Sequence, residues 1–156
     1  DKIGVEAFSF GGTTTAMLVL RYPQYFCCGV AGGGVYDWNL YDSHYTERFM
    51  DTPQANPEGY AEAGVLTWVP KVFSPINSIF PAPGALKLTH GTGDDNVHFQ
   101  NTLLLVDALQ KEGYQFELMI YPDGMHGYRG KQHLHDQASD HIFWSRHLLG
   151  KSVAEK

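Results

Sequence analysis

The chain has 156 residues, of which 43% are hydrophobic and 18% charged, with a formal net charge of −6. That length suits one domain with a sizeable core, and the composition is globular rather than disordered. An acidic chain without a Lys/Arg cluster excludes nucleic-acid backbones and anionic membranes as expected partners, and no apolar run approaches the roughly 18 residues of a membrane helix.

The sequence opens on Asp1, directly before an apolar stretch, with no signal peptide in view. It reads as a processed product or a piece of something longer. Ile3 to Phe8 is predicted as a short strand and Ser9 to Gly12 as a tight turn. Thr13 to Tyr22 follows as a helix ended by Pro23. Phe26 to Ala31 is apolar enough for a buried strand, stopped by Gly32 to Gly34. Its adjacent Cys27 and Cys28 read as two thiols rather than a disulfide, because a bridge needs a particular separation and torsion. Trp38, Tyr41 and Tyr45 then recur at helical spacing. Asn56-Pro57-Glu58 is a helix start, a cap followed by Pro, and that helix ends near Gly64. Val65 to Pro83, with four prolines, is expected to be irregular. Ala85 to Thr89 is a strand, Phe99 to Lys111 an amphipathic helix, Phe116 to Tyr121 a strand and His133 to Leu149 a final helix. Strands alternating with helices predict a parallel sheet covered on its faces, with ligands beyond the carboxyl ends of the strands.

Three of the loops at those ends carry the parts of a base-activated nucleophile. After the first strand comes Ala7-Phe8-Ser9-Phe10-Gly11-Gly12, similar to a nucleophile elbow but with Ala7 where the usual elbow has Gly. After the Ala85 strand comes Asp94-Asp95-Asn96, and after the last strand His126-Gly127. A serine hydroxyl needs an adjacent base at neutral pH, histidine titrates near neutrality, and a buried carboxylate fixes the tautomer of that histidine. Spacing alone leaves Asp94 and Asp95 as equal candidates. The eight histidines include His133, His135, His141 and His147 on or near one helix, but no pair among them has the i, i+4 spacing of a two-ligand face, so neither a metal nor another cofactor is expected.

The segment Trp38 to Met50 (WNLYDSHYTERFM) closely resembles the dipeptidyl peptidase IV branch of the prolyl oligopeptidase family. His90 to Gln100 (HGTGDDNVHFQ), Phe116 to Asp123 followed by His126-Gly127, and more weakly Asn56 to Tyr60 resemble it too. The resemblance implies an α/β-hydrolase sheet with helices on both faces. Residues 1–150 would be the C-terminal portion of a serine peptidase domain, without its N-terminal strands, and 151–156 a tail. It implies a peptide substrate cut after Pro or Ala. It makes Ser9 the nucleophile, His126 the base and Asp94 the orienting carboxylate, with the backbone N–H of Phe10 an oxyanion donor. Val35, Trp38, Tyr41, Tyr45 and Val97 would line a small apolar pocket, and Asn96 would hydrogen-bond the substrate carbonyl. The family usually has Tyr at the position of Phe10, and Trp68 to Ala85 departs most from its pattern. The remainder of such an enzyme or a second copy are the partners implied, in a periplasmic, secreted or cell-surface setting.

Overall fold

The computed structural model describes residues 3–72 and 84–151. Four strands, β1 (Ile3–Phe8), β2 (Phe26–Gly32), β3 (Ala85–Gly91) and β4 (Glu117–Tyr121), pair in the order β1-β2-β3-β4. Every neighbouring pair is parallel.

Period-two alternation along the strands explains why helices cover both faces. Ala31, Leu86 and Leu88 point to one face, where they pack with Val19 and Leu20 of α1 (Phe10–Arg21) and Leu105 and Leu109 of α5 (Gln100–Lys111). Cys28 and Val30 point to the other and meet Phe143 of α6 (Gly130–His147). Burying Phe143 fully is worth roughly 1.5–3 kcal/mol. Lys87 alternates with Leu86 and Leu88, so it faces α6, where its Nζ lies 2.6 Å from Ser139 Oγ and 2.7 Å from Asp140 Oδ1. Cys27 and Cys28 are thiols within β2.

The excursion between β2 and β3 holds α2 (Ser43–Met50), α3 (Pro57–Ala63) and the short α4 (Val69–Val72). Asn56 Oδ1 accepts the Gly59 N–H, the cap expected from Asn-Pro-Glu. Trp38, Tyr41 and Tyr45 do not share one helix, although their spacing is helical. Trp38 lies in a 3-10 turn, Tyr41 is extended, and Tyr45 is in α2. Two aspartates break the run: Asp37 accepts the Asn39 N–H and Asp42 caps α2 at the Tyr45 N–H. The segment expected to be irregular contains a 3-10 turn at Val65–Thr67 and then α4, while the remainder of it, 73–83, lies outside the described residues. The first helix begins at Phe10, not Thr13, so the predicted turn is the Ser9 cap and the first helical turn. The last helix starts three residues earlier than expected, at Gly130.

Candidate active site

Each strand delivers one piece of the site from its carboxyl end. Ser9 sits between β1 and α1 with φ 61°, a left-handed conformation unusual for a residue with a side chain. Its N–H donates to the Gly32 carbonyl at 2.8 Å, and its own carbonyl accepts the Thr13 N–H at 3.2 Å. Two glycines make the turn feasible. A Cβ on Gly12 would collide with the Gly32 carbonyl oxygen, and one on Gly11 would lie 2.5 Å from the Ala7 Cβ. The bare Gly11 is therefore what makes room for the Ala7 methyl, the departure from the usual elbow. Phe10 opens α1, so no intrahelical bond uses its N–H, and its ring is exposed.

The loops after β3 and β4 are tied to each other. Thr92 N–H donates to the Tyr121 carbonyl, Gly93 N–H to the Gly124 carbonyl, and Asp123 N–H to Thr92 Oγ1. These loops bring Asp94 and His126 together: His126 Nδ1 lies 2.7 Å from Asp94 Oδ2, and His126 Nε2 lies 2.8 Å from Ser9 Oγ. A carboxylate can only accept, so Nδ1 carries the proton, and Nε2 of the neutral ring accepts from the serine hydroxyl. The Asp94 side chain is wholly buried and that of His126 is 18% exposed. Asp95, the alternative that spacing left open, is exposed. Asp94 Oδ1 accepts the N–H groups of Asn96 and Val97 at 3.0 and 2.9 Å.

Beside this unit, Val35, Trp38, Val97 and Tyr60 form a buried apolar cluster flanked by Tyr41. Tyr45 is 42% exposed and stacks on Trp38 with centroids 6.3 Å apart. The Tyr41 hydroxyl donates to Asn96 Oδ1 at 2.8 Å, and burial, then the Asp42 charge, raises its pKa. A cavity of about 480 Å³ lies between α1 and α2, lined in part by Phe10, Met17, Trp38, Tyr45 and Phe49. Phe10, Trp38 and Tyr45 line it, whereas Val35, Tyr41, Asn96 and Val97 do not.

Several supporting residues carried no recognisable sequence signal. Thr13 Oγ1 both donates to the Val35 carbonyl at 2.8 Å and accepts its N–H at 3.0 Å. Asn101 Oδ1 accepts the N–H groups of Tyr36 and Asp37. The Phe8 ring packs 5.0 Å from that of His126 and 5.7 Å from that of Tyr128. Among the described residues, no three His, Cys, Asp or Glu side chains converge as a metal ligand set, and no helix is long and apolar enough to cross a membrane.

A sequence model of the prolyl oligopeptidase family matches residues 1–152. The chain belongs to the prolyl oligopeptidase family. Within it, the relatives lie in the dipeptidyl peptidase IV branch. The chain is 39% identical over 144 residues to a probable dipeptidyl-aminopeptidase B of Uncinocarpus reesii, covering 89% of this chain and 15% of that protein. It is 40% identical over 129 residues to the corresponding protein of Neurospora crassa, covering 81% and 13%. The crystal structure of Porphyromonas gingivalis dipeptidyl peptidase 4 superposes with a TM-score of 0.76 at 37% identity, over 90% of this chain and 19% of that one. The four-stranded parallel sheet with its helices is thus the α/β-hydrolase architecture of this branch. The chain spans under a fifth of the length of these family members.

Proposed function

We propose that this chain carries the reacting groups of a serine peptidase that releases dipeptides from peptide N-termini, with Pro or Ala preferred before the cut. The observation that carries the reading is the continuous bonding of Ser9, His126 and Asp94, from three loops far apart in sequence. Ser9 Oγ attacks the scissile carbonyl carbon while His126 Nε2 takes its proton. The tetrahedral oxyanion is met by the Phe10 N–H at the positive end of α1. The C–N bond then breaks, and the proton passes from His126 to the leaving amine. Water, deprotonated by the same nitrogen, adds to the acyl carbon, the bond to Ser9 Oγ breaks, and His126 returns the proton to that oxygen. Asp94 holds the ring in the required tautomer and balances the imidazolium charge.

Trp38 and Tyr45, which line the cavity, are the walls for a flat, small apolar side chain, with Tyr41 and the buried Val35 and Val97 packed in the same cluster as Trp38, and Asn96 orients the substrate carbonyl. The Asn96 amide NH2 is available for this because its oxygen is held by Tyr41. Residues 1–150 act as one portion of a longer peptidase domain, which agrees with the small share of the relatives' length that they match. The chain should react with a fluorophosphonate probe at Ser9, and Ser9→Ala should abolish labelling. A folded chain that labels no better than that variant removes the catalytic reading and leaves a non-catalytic piece of such an enzyme.

A further inference from the structure

We propose that His90 is a positioning residue for the Asp94 carboxylate, acting as a neutral imidazole with its proton on Nε2. The inference rests on the reading of Ser9, His126 and Asp94 as the reacting unit. His90, one residue before the end of β3, is wholly buried, and a buried imidazole must satisfy both nitrogens. Nε2 lies 2.8 Å from the Val97 carbonyl, which can only accept, so Nε2 carries the hydrogen. Nδ1 lies 2.7 Å from Thr102 Oγ1, and in the neutral ring it accepts that hydroxyl's proton. The same Nε2 is 3.3 Å from Asp94 Oδ2, the oxygen that His126 also meets.

Asp94 is therefore enclosed on all sides. Two backbone N–H groups donate to Oδ1, His126 Nδ1–H donates to Oδ2, and the His90 ring closes the other flank of Oδ2 at 3.3 Å, held there by its bond to the Val97 carbonyl. The carboxylate cannot rotate without losing one of them. Val97 is bonded on both sides, its N–H to Asp94 Oδ1 and its carbonyl to His90 Nε2, so His90 bears on the orienting carboxylate and on the apolar cluster of the proposed pocket together. Neutrality matters as much as position. A second imidazolium would compete with His126 for a single negative charge. Burial lowers the proton affinity of His90; the nearby His126 opposes a positive charge there, while Asp94 favours one. The Phe99 ring meets His90 edge-on with centroids 5.6 Å apart and excludes water from it.

The test is nitrogen NMR on the 15N-labelled 156-residue chain, with two variants. The parent should show His90 with a protonated Nε2 and a bare Nδ1, unchanged while an ordinary imidazole titrates. His90→Leu should lose the low-field proton resonance of the His126–Asp94 bond and slow fluorophosphonate labelling about 10²-fold, the order of loss expected from misplacement alone. His90→Gln, whose amide can still donate, should recover most of both. A proton on Nδ1 or a charged ring in the parent overturns the proposal, as does a folded Leu variant with the parent's resonance and rate. If the Leu variant does not fold, the parent's ring shifts and the Gln variant decide. A parent with the expected His90 shifts and the low-field resonance but no labelling overturns the catalytic reading instead.

Discussion

Two neighbouring aspartates with opposite surroundings define the site at the scale of single residues. Asp94 is buried among three donors and Asp95 is exposed, so Asp94→Asn and Asp95→Asn should diverge. Loss of the Asp94 charge leaves His126 free to adopt the wrong tautomer, and the labelling rate of Ser9 should fall about 10⁴-fold. Asp95→Asn should leave that rate unchanged; labelling kinetics measure both. Asp136 is a different case. Burial, reinforced by the Asp140 charge, raises its carboxyl from 3.8 to about 6. A carboxyl whose folded pKa is raised binds its proton more tightly when folded. Its contribution is therefore favourable below the unfolded value and is lost as pH rises through about 6. Asp136→Asn should raise stability relative to the parent at about pH 7.5 and change it little near pH 4, as urea unfolding at the two values would report.

Among the elements, α6 is held to the sheet by apolar packing and by a buried ion pair. Phe143 packs under Cys28 and Val30, and Asp140 reaches the buried Lys87 of β3 at 2.7 Å. Removing one partner of a buried pair strands the other charge, so Asp140→Ala should cost about 3–5 kcal/mol in chemical denaturation. Lys87→Met combined with Asp140→Leu should recover most of that loss, because neither charge is then buried alone. The strands and long helices were legible because their signals are local: apolar runs, a cap followed by Pro, Gly113 closing α5. The helical spacing of Trp38, Tyr41 and Tyr45 misled, because side-chain capping by Asp37 and Asp42 outweighed it. The choice between Asp94 and Asp95 needed the family's likeness, since both lie in the same loop and only tertiary burial separates them. Thr13, Asn101 and His90 were not legible as supports, for their partners lie 22, 65 and 7 residues away on other elements or loops.

The sheet has two edge strands among the described residues, β1 and β4. Among the described residues, β1 pairs with β2 on one side and with no strand on the other. Wherever no further strand covers it, such a parallel edge beside a half-exposed Ile3 invites pairing between copies. Light scattering should show concentration-dependent association that Ile3→Lys reduces without slowing Ser9 labelling. The bonds joining the loops after β3 and β4 have a consequence for motion. Asp94 and His126 ride on one stitched unit, whereas Ser9 sits on the β1–α1 turn, tied by its N–H to the Gly32 carbonyl of β2, and meets that unit at His126 Nε2. Thermal breathing should therefore modulate the serine-to-imidazole gap while the imidazole-to-carboxylate spacing stays fixed. The amides of Thr92 and Gly93 should exchange with deuterium as slowly as those of the sheet, marking the imidazole–carboxylate pair as part of the rigid frame and Ser9 as its adjustable neighbour.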